Sequence, residues 1–241
     1  GQKYLLKIDL LKFFDCIDEK RVYKVFRSFG YLKNLSWDLA KLCTVEHRKT
    51  YWESFKESDF ELLKDYIETN PRVLPQGAPT SPLLANIVAS RLDKRIGYLS
   101  KKQNFRYSRY ADDLCFSANN EESLPSISQL RKIILDEGFF INEEKSKFSK
   151  AGMKQYVTGL SITNKVSIEK QKRREIFTHL YFARKYGLKN HIQKLKEKGD
   201  YHTNYKDWIL GNISYHYSIN KKVGMKMFDI YNKINWSIDY D

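Results

Sequence analysis

Two adjacent aspartates, Asp112 and Asp113, lie between two short runs of aromatic and branched residues within residues 106–117. Such runs favour strands, and the small polar residues between them suit a tight connection, so the segment predicts a β-hairpin with carboxylates at its turn. An ordinary turn explains an isolated pair well, because Asp favours turns through local hydrogen bonds. If a third carboxylate converged on the pair, the three would form a set of oxygen ligands suited to a hard cation such as Mg²⁺.

A third acid, Asp9, ends an apolar run that predicts a strand over residues 3–10. A helix is predicted to follow over residues 18–29, with Asp18 as its N-cap and Gly30 at its end. On its own, Asp9 is explained at least as well by a structural role at the strand end. Its importance as a ligand depends on the strand lying beside the predicted hairpin.

Residues 74–82 read Leu-Pro-Gln-Gly-Ala-Pro-Thr-Ser-Pro, and the apolar spacing after them predicts a helix over residues 83–96. Three prolines and a glycine in nine residues exclude regular structure. Gly77 removes a side chain where a backbone or a ligand could approach, and Gln76 offers both a donor and an acceptor. A proline-stiffened loop without a binding role is the alternative, which explains one Pro-Gly pair better than it explains the whole string.

The charge of the chain indicates a polyanionic partner, and nucleic acid is the leading candidate. The 241 residues contain 43 Lys and Arg against 29 Asp and Glu, a net charge of +14, and 41% are hydrophobic. Residues 165–241, which are predicted to be mostly helical, hold 16 basic and 8 acidic residues and are the better candidate for phosphate contact. No apolar run in the sequence is long enough to span a bilayer.

The cysteines Cys16, Cys43 and Cys115 show no CxxC spacing, and no histidines cluster with them, which argues against a zinc site or a disulfide framework. We therefore expect buried thiols in a reducing compartment. No signal peptide is visible at the start of the sequence.

Three segments, in their order and approximate spacing, resemble the palm of reverse transcriptases, most closely the bacterial, retron-type and group II intron-like members. They are Asp9 with Phe13-Phe14 after it, residues 74–82, and Tyr110-Ala111-Asp112-Asp113. Residues 138–146 resemble a palm segment that ends in a functional lysine. Residues 155–162 resemble the primer grip, and the triplet Val157-Thr158-Gly159 within them is particularly similar to retron enzymes. The resemblance is strong over residues 3–165, and residues 210–215 are similar to a segment of the thumb.

The resemblance implies DNA synthesis by in-line attack of a 3′-oxygen on an α-phosphate, assisted by two divalent cations about 3.5–4 Å apart. These would be Mg²⁺, for which Mn²⁺ can substitute. Asp9 and Asp112 would supply the bridging carboxylates, and Asp113 would complete the site or fix its geometry, so all three count as catalytic. The backbone carbonyl of Leu10 is a further implied ligand. Shared cations require that Asp9 and Asp112 lie within about 10 Å of each other.

The same resemblance implies roles around the metal site. Phe14 would lie under the sugar of the incoming nucleotide and favour deoxynucleotides, with a place in the core as its alternative role. Gln76 and Gly77 would line the nucleotide pocket. Lys145 would protonate or neutralise the pyrophosphate leaving group, with an ordinary exposed lysine as an equal alternative. The implied primer and template contacts are Tyr110, Val157, Thr158, Gly159, Arg173 and Arg174.

We expect an α+β fold with two domains. A polymerase palm, an antiparallel sheet with helices on one face, would occupy residues 1–164, and a mostly helical, basic thumb would occupy residues 165–241. The family places a fingers region before the Asp9 strand, and this sequence contains none. The fingers would come from an N-terminal portion outside this sequence or from another chain; otherwise the protein is a remnant.

The expected function is that of an RNA-directed DNA polymerase, a retron-type reverse transcriptase in the bacterial cytoplasm. It would copy an RNA template from a DNA or RNA primer with dNTPs, without a membrane. The resemblance also implies a structured noncoding RNA and an effector protein as partners in antiphage defence. Two alternatives stay open: a defence reverse transcriptase that makes untemplated or otherwise templated DNA, and a non-catalytic RNA-binding palm. Three retained acids argue against the second alternative.

Overall fold

A computed structural model describes residues 2–69, 72–163 and 165–236. The chain divides into two compact units between residues 151 and 152. This boundary lies before the primer-grip segment, whereas the sequence predicts it after residue 164. The two predicted domains also include some residues that lie outside the described part of the chain. These are residues 1, 70, 71, 164 and 237–241.

The first unit alternates strands and helices. In chain order its elements are β1 (Tyr4–Leu10), α1 (Glu19–Ser28), α2 (Lys33–Cys43), β2 (Val45–Glu46), α3 (Lys49–Glu53), α4 (Glu57–Thr69), β3 (Arg72–Val73), α5 (Ser81–Gln103), β4 (Arg106–Tyr110), β5 (Asp113–Ala118), α6 (Ile127–Asp136) and β6 (Ile141–Lys150), with a short 3₁₀ helix over Glu121–Ser123 between β5 and α6.

The central sheet of the first unit has the strand order β4-β5-β1-β6, and its strands pair antiparallel. Leu6 and Ile8 of β1 lie with Leu114 and Phe116 of β5 in a core shared with α1, α5 and α6. Asp9 lies on the opposite face from Ile8, because successive side chains of a strand alternate. The predicted α+β class, with an antiparallel sheet and helices, is confirmed.

The predicted helix boundaries have identifiable causes. The Asp18 carboxylate accepts a hydrogen bond from the backbone nitrogen of Arg21 at 2.7 Å, which caps α1 as expected. The helix after the proline-rich loop begins at Ser81, whose buried hydroxyl donates to the Pro75 carbonyl at 2.7 Å. Both predicted helices are therefore confirmed, although α5 extends seven residues beyond its predicted end at residue 96.

The cysteines are free thiols, as the sequence indicates. Cys16 and Cys115 are buried, whereas Cys43, at the end of α2, is only half-buried. Burial raises the pKa of Cys16 to about 12, so this thiol is not reactive at neutral pH.

The second unit is mostly helical, as the sequence predicts. Its elements are the strands β7 (Tyr156–Val157), β8 (Leu160–Ser161) and β9 (Ser167–Ile168), which form one antiparallel sheet, and the helices α7 (Lys170–Tyr186), α8 (Leu188–Glu197), α9 (Tyr205–Ile219) and α10 (Lys221–Tyr231). Ile176, Leu180, Ile209 and Ile213 contribute to its apolar core. Across the described ranges of both units, no helix combines the length and the hydropathy needed to cross a membrane.

Candidate active site

The three predicted acids lie at one end of β1. Asp9 and Asp113 are directly opposite each other on the paired strands β1 and β5. The backbone nitrogen of Leu10 donates to the Asp112 carbonyl at 2.9 Å. Covalent geometry then limits the separation of the Asp9 and Asp112 α-carbons to less than about 8 Å. This separation meets the requirement for shared cations.

The turn between β4 and β5 holds Ala111, the residue before Asp112, in an uncommon conformation. Tyr110 pairs with Asp113, so that Ala111 and Asp112 alone form the connection. Ala111 has a φ of +51°, in the left-handed region, which costs a residue with a side chain about 1 kcal/mol. The guanidinium of Arg109 donates to the Ala111 carbonyl at 2.9 Å and helps to hold this conformation.

Two lysines neutralise two of the acids. Lys145 Nζ lies 3.6 Å from Asp9 Oδ2, and Lys7 Nζ lies 3.2 Å from Asp113 Oδ1. Because the Asp113 carboxylate is turned towards Lys7, it does not line the cleft that holds the other two acids. Accordingly, no group of three His, Cys, Asp or Glu side chains in the described part of the chain is arranged to hold a metal ion.

The electrostatics of Asp9 nevertheless fit a nearby cation. Burial raises the pKa of Asp9 above its ordinary value; Lys145 opposes this shift, and the charges of Asp112 and Asp113 add to it. A cation among these carboxylates would relieve their repulsion, and carboxylate oxygens are the ligands that Mg²⁺ prefers. The donor chemistry therefore fits a divalent cation once Asp113 is released from Lys7.

A bulge in β6 carries Lys145 towards Asp9. The pairing of β6 with β1 shifts by three residues, so residues 143–146 lie opposite a single residue of β1. The Ser146 hydroxyl donates to the Asn142 carbonyl at 2.9 Å across this bulge. Bulges re-aim side chains that would otherwise follow the strand. The position of Lys145 beside Asp9 thus has a backbone cause.

A cleft of about 350 Å³ opens beside the acids. Its lining includes Asp9, Asp112, Phe14, Gln76 and Lys145, five of the residues that the sequence singles out. Leu10, whose backbone carbonyl is the further predicted ligand, also borders it. Five residues that the sequence predicts for the site come from four separate segments of the chain, and the fold places them around one cleft.

The two phenylalanines after Asp9 have different environments. Both border the cleft, but Phe13 is buried in the core, with 3% of its surface exposed, whereas Phe14 is half-buried. Their rings pack edge to face at a centroid distance of 5.5 Å. Phe13 is therefore the core member of the pair, whereas Phe14 remains accessible from the cleft.

Gly77 follows Gln76 on an exposed part of the loop. Its φ is +95°, in the region that favours glycine, and apart from its two chain neighbours no described residue has an atom within 4 Å of the position that a Cβ would take. Within the protein itself, the glycine is therefore required by backbone conformation rather than by a close contact.

Sequence reasoning missed the residues on another wall of the cleft. The Tyr51 hydroxyl donates to the Asp15 carboxylate at 3.1 Å, and its ring stacks on His47 at 3.8 Å. Burial raises the pKa of Asp15 above its ordinary value and raises that of Tyr51 to about 12. Lys56 also lines the cleft and binds Glu144 at 2.5 Å. Residues 51–56, which supply Tyr51 from α3 and Lys56 from the segment after it, have no periodicity that could have identified them.

The predicted primer and template residues are divided between the units. Tyr110 belongs to the first unit and is 73% exposed. In the second unit, Thr158 and Gly159 form a two-residue turn with φ values of +47° and +79°, and Val157 precedes it in β7. Arg173 and Arg174, from the start of α7, line a cavity of about 670 Å³ in the same unit.

The family and the curated proteins that match this chain are reverse transcriptases. Residues 1–177 match the family described as reverse transcriptase (RNA-dependent DNA polymerase). The retron Mx65 reverse transcriptase of Myxococcus xanthus is 33% identical over 174 residues, which cover 72% of this chain and 39% of that protein. The retron Ec86 reverse transcriptase of Escherichia coli is 35% identical over 178 residues, which cover 73% of this chain and 48% of that protein. The chain spans less than half the length of these two curated relatives.

Among solved structures, an apo telomerase from Candida tropicalis matches 98% of this chain and 44% of that chain, with 17% sequence identity and a TM-score of 0.47.

Proposed function

The chain belongs to the reverse transcriptase family, and from this premise we propose that it is the polymerising part of a retron-type, RNA-directed DNA polymerase. The observation that carries the proposal is the register of Asp9 opposite Asp113, with Asp112 hydrogen-bonded through its backbone beside them. A fold that only bound RNA would gain nothing from three repelling carboxylates at one strand end.

In the proposed mechanism, Asp9 and Asp112 hold the divalent cations, and the Leu10 carbonyl and Asp113 complete the ligand set. Mg²⁺ is the expected cation, and Mn²⁺ can replace it. When bound, the two cations would activate the attacking 3′-oxygen and stabilise the leaving oxygen. For this role, Asp113 must give up its ion pair with Lys7 and bind a cation instead. The Asp9 strand and the Asp112 turn are hydrogen-bonded to each other, so the chain keeps these two ligands close before any cation arrives.

The other cleft residues act on the nucleotide. Phe14 limits the space beside the sugar and so disfavours a 2′-hydroxyl. Gln76 offers a donor and an acceptor to the nascent base pair, while Gly77 keeps the loop in its positive-φ conformation. Lys145 neutralises, or donates a proton to, the pyrophosphate that leaves.

The two units would divide the remaining tasks. We propose that the first is the palm and that the second is the thumb, which holds the template–primer duplex. Arg173 and Arg174 would contact phosphates without reading sequence, as a polymerase that must move along its product requires. Tyr110 and the turn at residues 157–159 would contact the primer.

The proposed biological setting is the bacterial cytoplasm, where a structured noncoding RNA would serve as the template. An effector protein would act with the DNA product in antiphage defence, and fingers residues from outside this sequence would complete the nucleotide site.

The proposal is tested by primer extension. The protein carrying this chain is given an RNA template of defined sequence, an annealed DNA primer, Mg²⁺ and dNTPs, and the products are sequenced. We expect DNA complementary to the template, and no product when EDTA removes the cations. Products that ignore the template sequence would support untemplated synthesis instead, and RNA binding without any extension would support a non-catalytic scaffold.

A further inference from the structure

We propose that Arg109 and Asp93 form a positioning pair that fixes the Ala111–Asp112 turn and thereby sets the affinity of the acidic site for divalent cations. The inference rests on the proposed function, because it takes Asp9 and Asp112 as cation ligands. Neither Arg109 nor Asp93 is a metal ligand in this account, since both act through the backbone of the turn.

The first observation is the geometry of the pair itself. The Arg109 side chain is only 6% exposed, although a strand next to a hairpin turn is usually accessible. Its Nε donates to Asp93 Oδ1 at 2.9 Å, and its Nη2 donates to Asp93 Oδ2 at 2.7 Å. Two parallel hydrogen bonds of this kind fix the guanidinium plane as well as its position.

The second observation is the group that the fixed guanidinium holds. Its remaining terminal nitrogen, Nη1, donates to the Ala111 carbonyl at 2.9 Å and to Asn86 Oδ1 at 3.1 Å. Ala111 has its positive φ at this point, so the bond holds a conformation that alanine disfavours. The next residue in the chain is Asp112, whose direction into the cleft depends on that conformation.

The third observation is the rigidity of the support. Asp93 projects from α5 next to Leu92, which is 0% exposed in the core, and its carboxylate also accepts the Tyr107 hydroxyl at 2.7 Å. Burial alone would raise the pKa of Asp93, but the hydrogen bonds from Arg109 and Tyr107 lower it overall, so the carboxylate is charged at neutral pH. The turn is thus fastened to a core helix through an ion pair whose arginine side chain is buried and whose aspartate side chain is 34% exposed.

Arg109 does not line the cleft that the described residues form around Asp9 and Asp112. We therefore do not assign the Arg109 side chain a direct contact with a nucleotide in that cleft. The sequence alone could not assign it, because a phosphate contact and a solvent-facing strand charge look identical there.

The test compares Arg109→Lys with Arg91→Lys in the protein carrying this chain. Lysine keeps the charge but cannot make the paired hydrogen bonds. Arg91 is the matched control, since it lies two residues from Asp93 on α5 and its side chain is 80% exposed. Mn²⁺ binding without nucleic acid is measured by electron paramagnetic resonance, and kcat and KM for dNTPs are measured by primer extension.

For Arg109→Lys we expect the affinity for Mn²⁺ to fall at least fivefold, because Asp112 is no longer held in place. We expect kcat to fall at least tenfold and KM for dNTPs to stay within twofold, because a small misplacement of a reacting group lowers the rate more than it weakens substrate binding. Arg91→Lys should match the parent protein. A folded Arg109→Lys protein with parental Mn²⁺ affinity and kcat would overturn the inference. If the Arg109→Lys protein does not fold, Mn²⁺ affinity and kcat are measured instead for Asp93→Asn, which preserves the shape of the side chain. Parental values of both quantities in the folded Asp93→Asn protein would likewise overturn the inference. A parent protein that neither binds Mn²⁺ nor extends a primer would instead refute the proposed function.

Discussion

Lys145 Nζ lies 3.6 Å from Asp9 Oδ2, so an ammonium group faces a carboxylate that we propose binds a divalent cation. The Lys145 side chain is 66% exposed and belongs to the β6 bulge, so it can leave the acid without disturbing the sheet. A cation at Asp9 would therefore displace Lys145, which would free the lysine for the role that we propose for it on the leaving group.

Substitution of Lys145 should therefore have two opposite effects. We expect Lys145→Gln to tighten Mn²⁺ binding, because a competing charge is removed, and to lower kcat by about 100-fold, because general acid assistance is lost. Lys150→Gln, at the far end of the same strand, is the control and should change neither quantity. An unchanged kcat in Lys145→Gln would show that the lysine is only a surface charge.

Phe14→Val should relax the selection of the sugar. The smaller side chain leaves room in the cleft for a 2′-hydroxyl, so the ratio of ribonucleotide to deoxynucleotide incorporation should rise by about 10-fold or more. Competition between labelled ATP and dATP measures this ratio. Phe105→Leu is the control, at a buried position that does not line the cleft; it should cost about 1–2 kcal/mol of folding stability but leave the ratio unchanged. Equal ratios in Phe14→Val and the parent would remove Phe14 from the nucleotide site.

A close helix contact in the second unit predicts an asymmetric response of two glycines to alanine. A Cβ on Gly224 of α10 would clash with the backbone of Tyr217 in α9, whereas a Cβ on Gly211 would meet no atom of the neighbouring described residues within 4 Å. We expect Gly224→Ala to lower the free energy of unfolding by about 1–3 kcal/mol. Gly211→Ala should raise it by about 0.5–1 kcal/mol, because alanine favours helices. Urea unfolding measures both, and equal signs would contradict the packing of α9 on α10.

The second unit also contains a buried polar cluster. The side-chain polar atoms of His179, His191 and Tyr205 lie 3.0 to 3.2 Å from one another. Burial lowers the pKa of His191 to about 4, and the charge of His179 contributes. Burial also lowers the pKa of His179. The other charged groups that affect these rings are Lys194, Glu175, Asp200 and His202.

This cluster predicts acid sensitivity of the second unit. A histidine takes up a proton near pH 6.5 in the unfolded chain, whereas folded His191 does so only near pH 4, so stability falls as the pH drops between these values. We expect a loss of about 1–3 kcal/mol between pH 7 and pH 4.5. Hydrogen exchange of α7 and α8 measures it. His191→Gln should reduce the pH dependence and the exposed His202→Gln should keep it, so identical pH profiles for the parent and His191→Gln would refute this explanation.

The elements that hold the acids could be predicted because their signals are local. An apolar run ending at Asp9 specifies a strand, and β-prone residues on both sides of a short polar turn specify a hairpin. The register that sets Asp9 opposite Asp113 could not be predicted in this way, since it depends on the pairing of segments a hundred residues apart.

The supporting residues of the site could not be found from sequence for the same reason. Arg109 meets Asp93 across 16 positions, and Tyr51 meets Asp15 across 36, without a local pattern that marks either pair. The β6 bulge likewise arises from a shift in the pairing register with β1, so Lys145 was singled out only through the resemblance of its segment. Propensity and periodicity locate strands and helices, whereas the fold decides which polar side chains meet.

The most direct test of the central claim is primer extension by the double variant Asp112→Asn/Asp113→Asn on a primed RNA template with Mg²⁺ and dNTPs. The account predicts a loss of at least about 1,000-fold in rate, because the cation ligands are lost while side-chain size is preserved. The matched control, Asp38→Asn/Asp65→Asn, replaces two exposed aspartates of α2 and α4 and should retain parental activity. Extension by a folded Asp112→Asn/Asp113→Asn protein at a rate within about tenfold of the parent would contradict the proposed site.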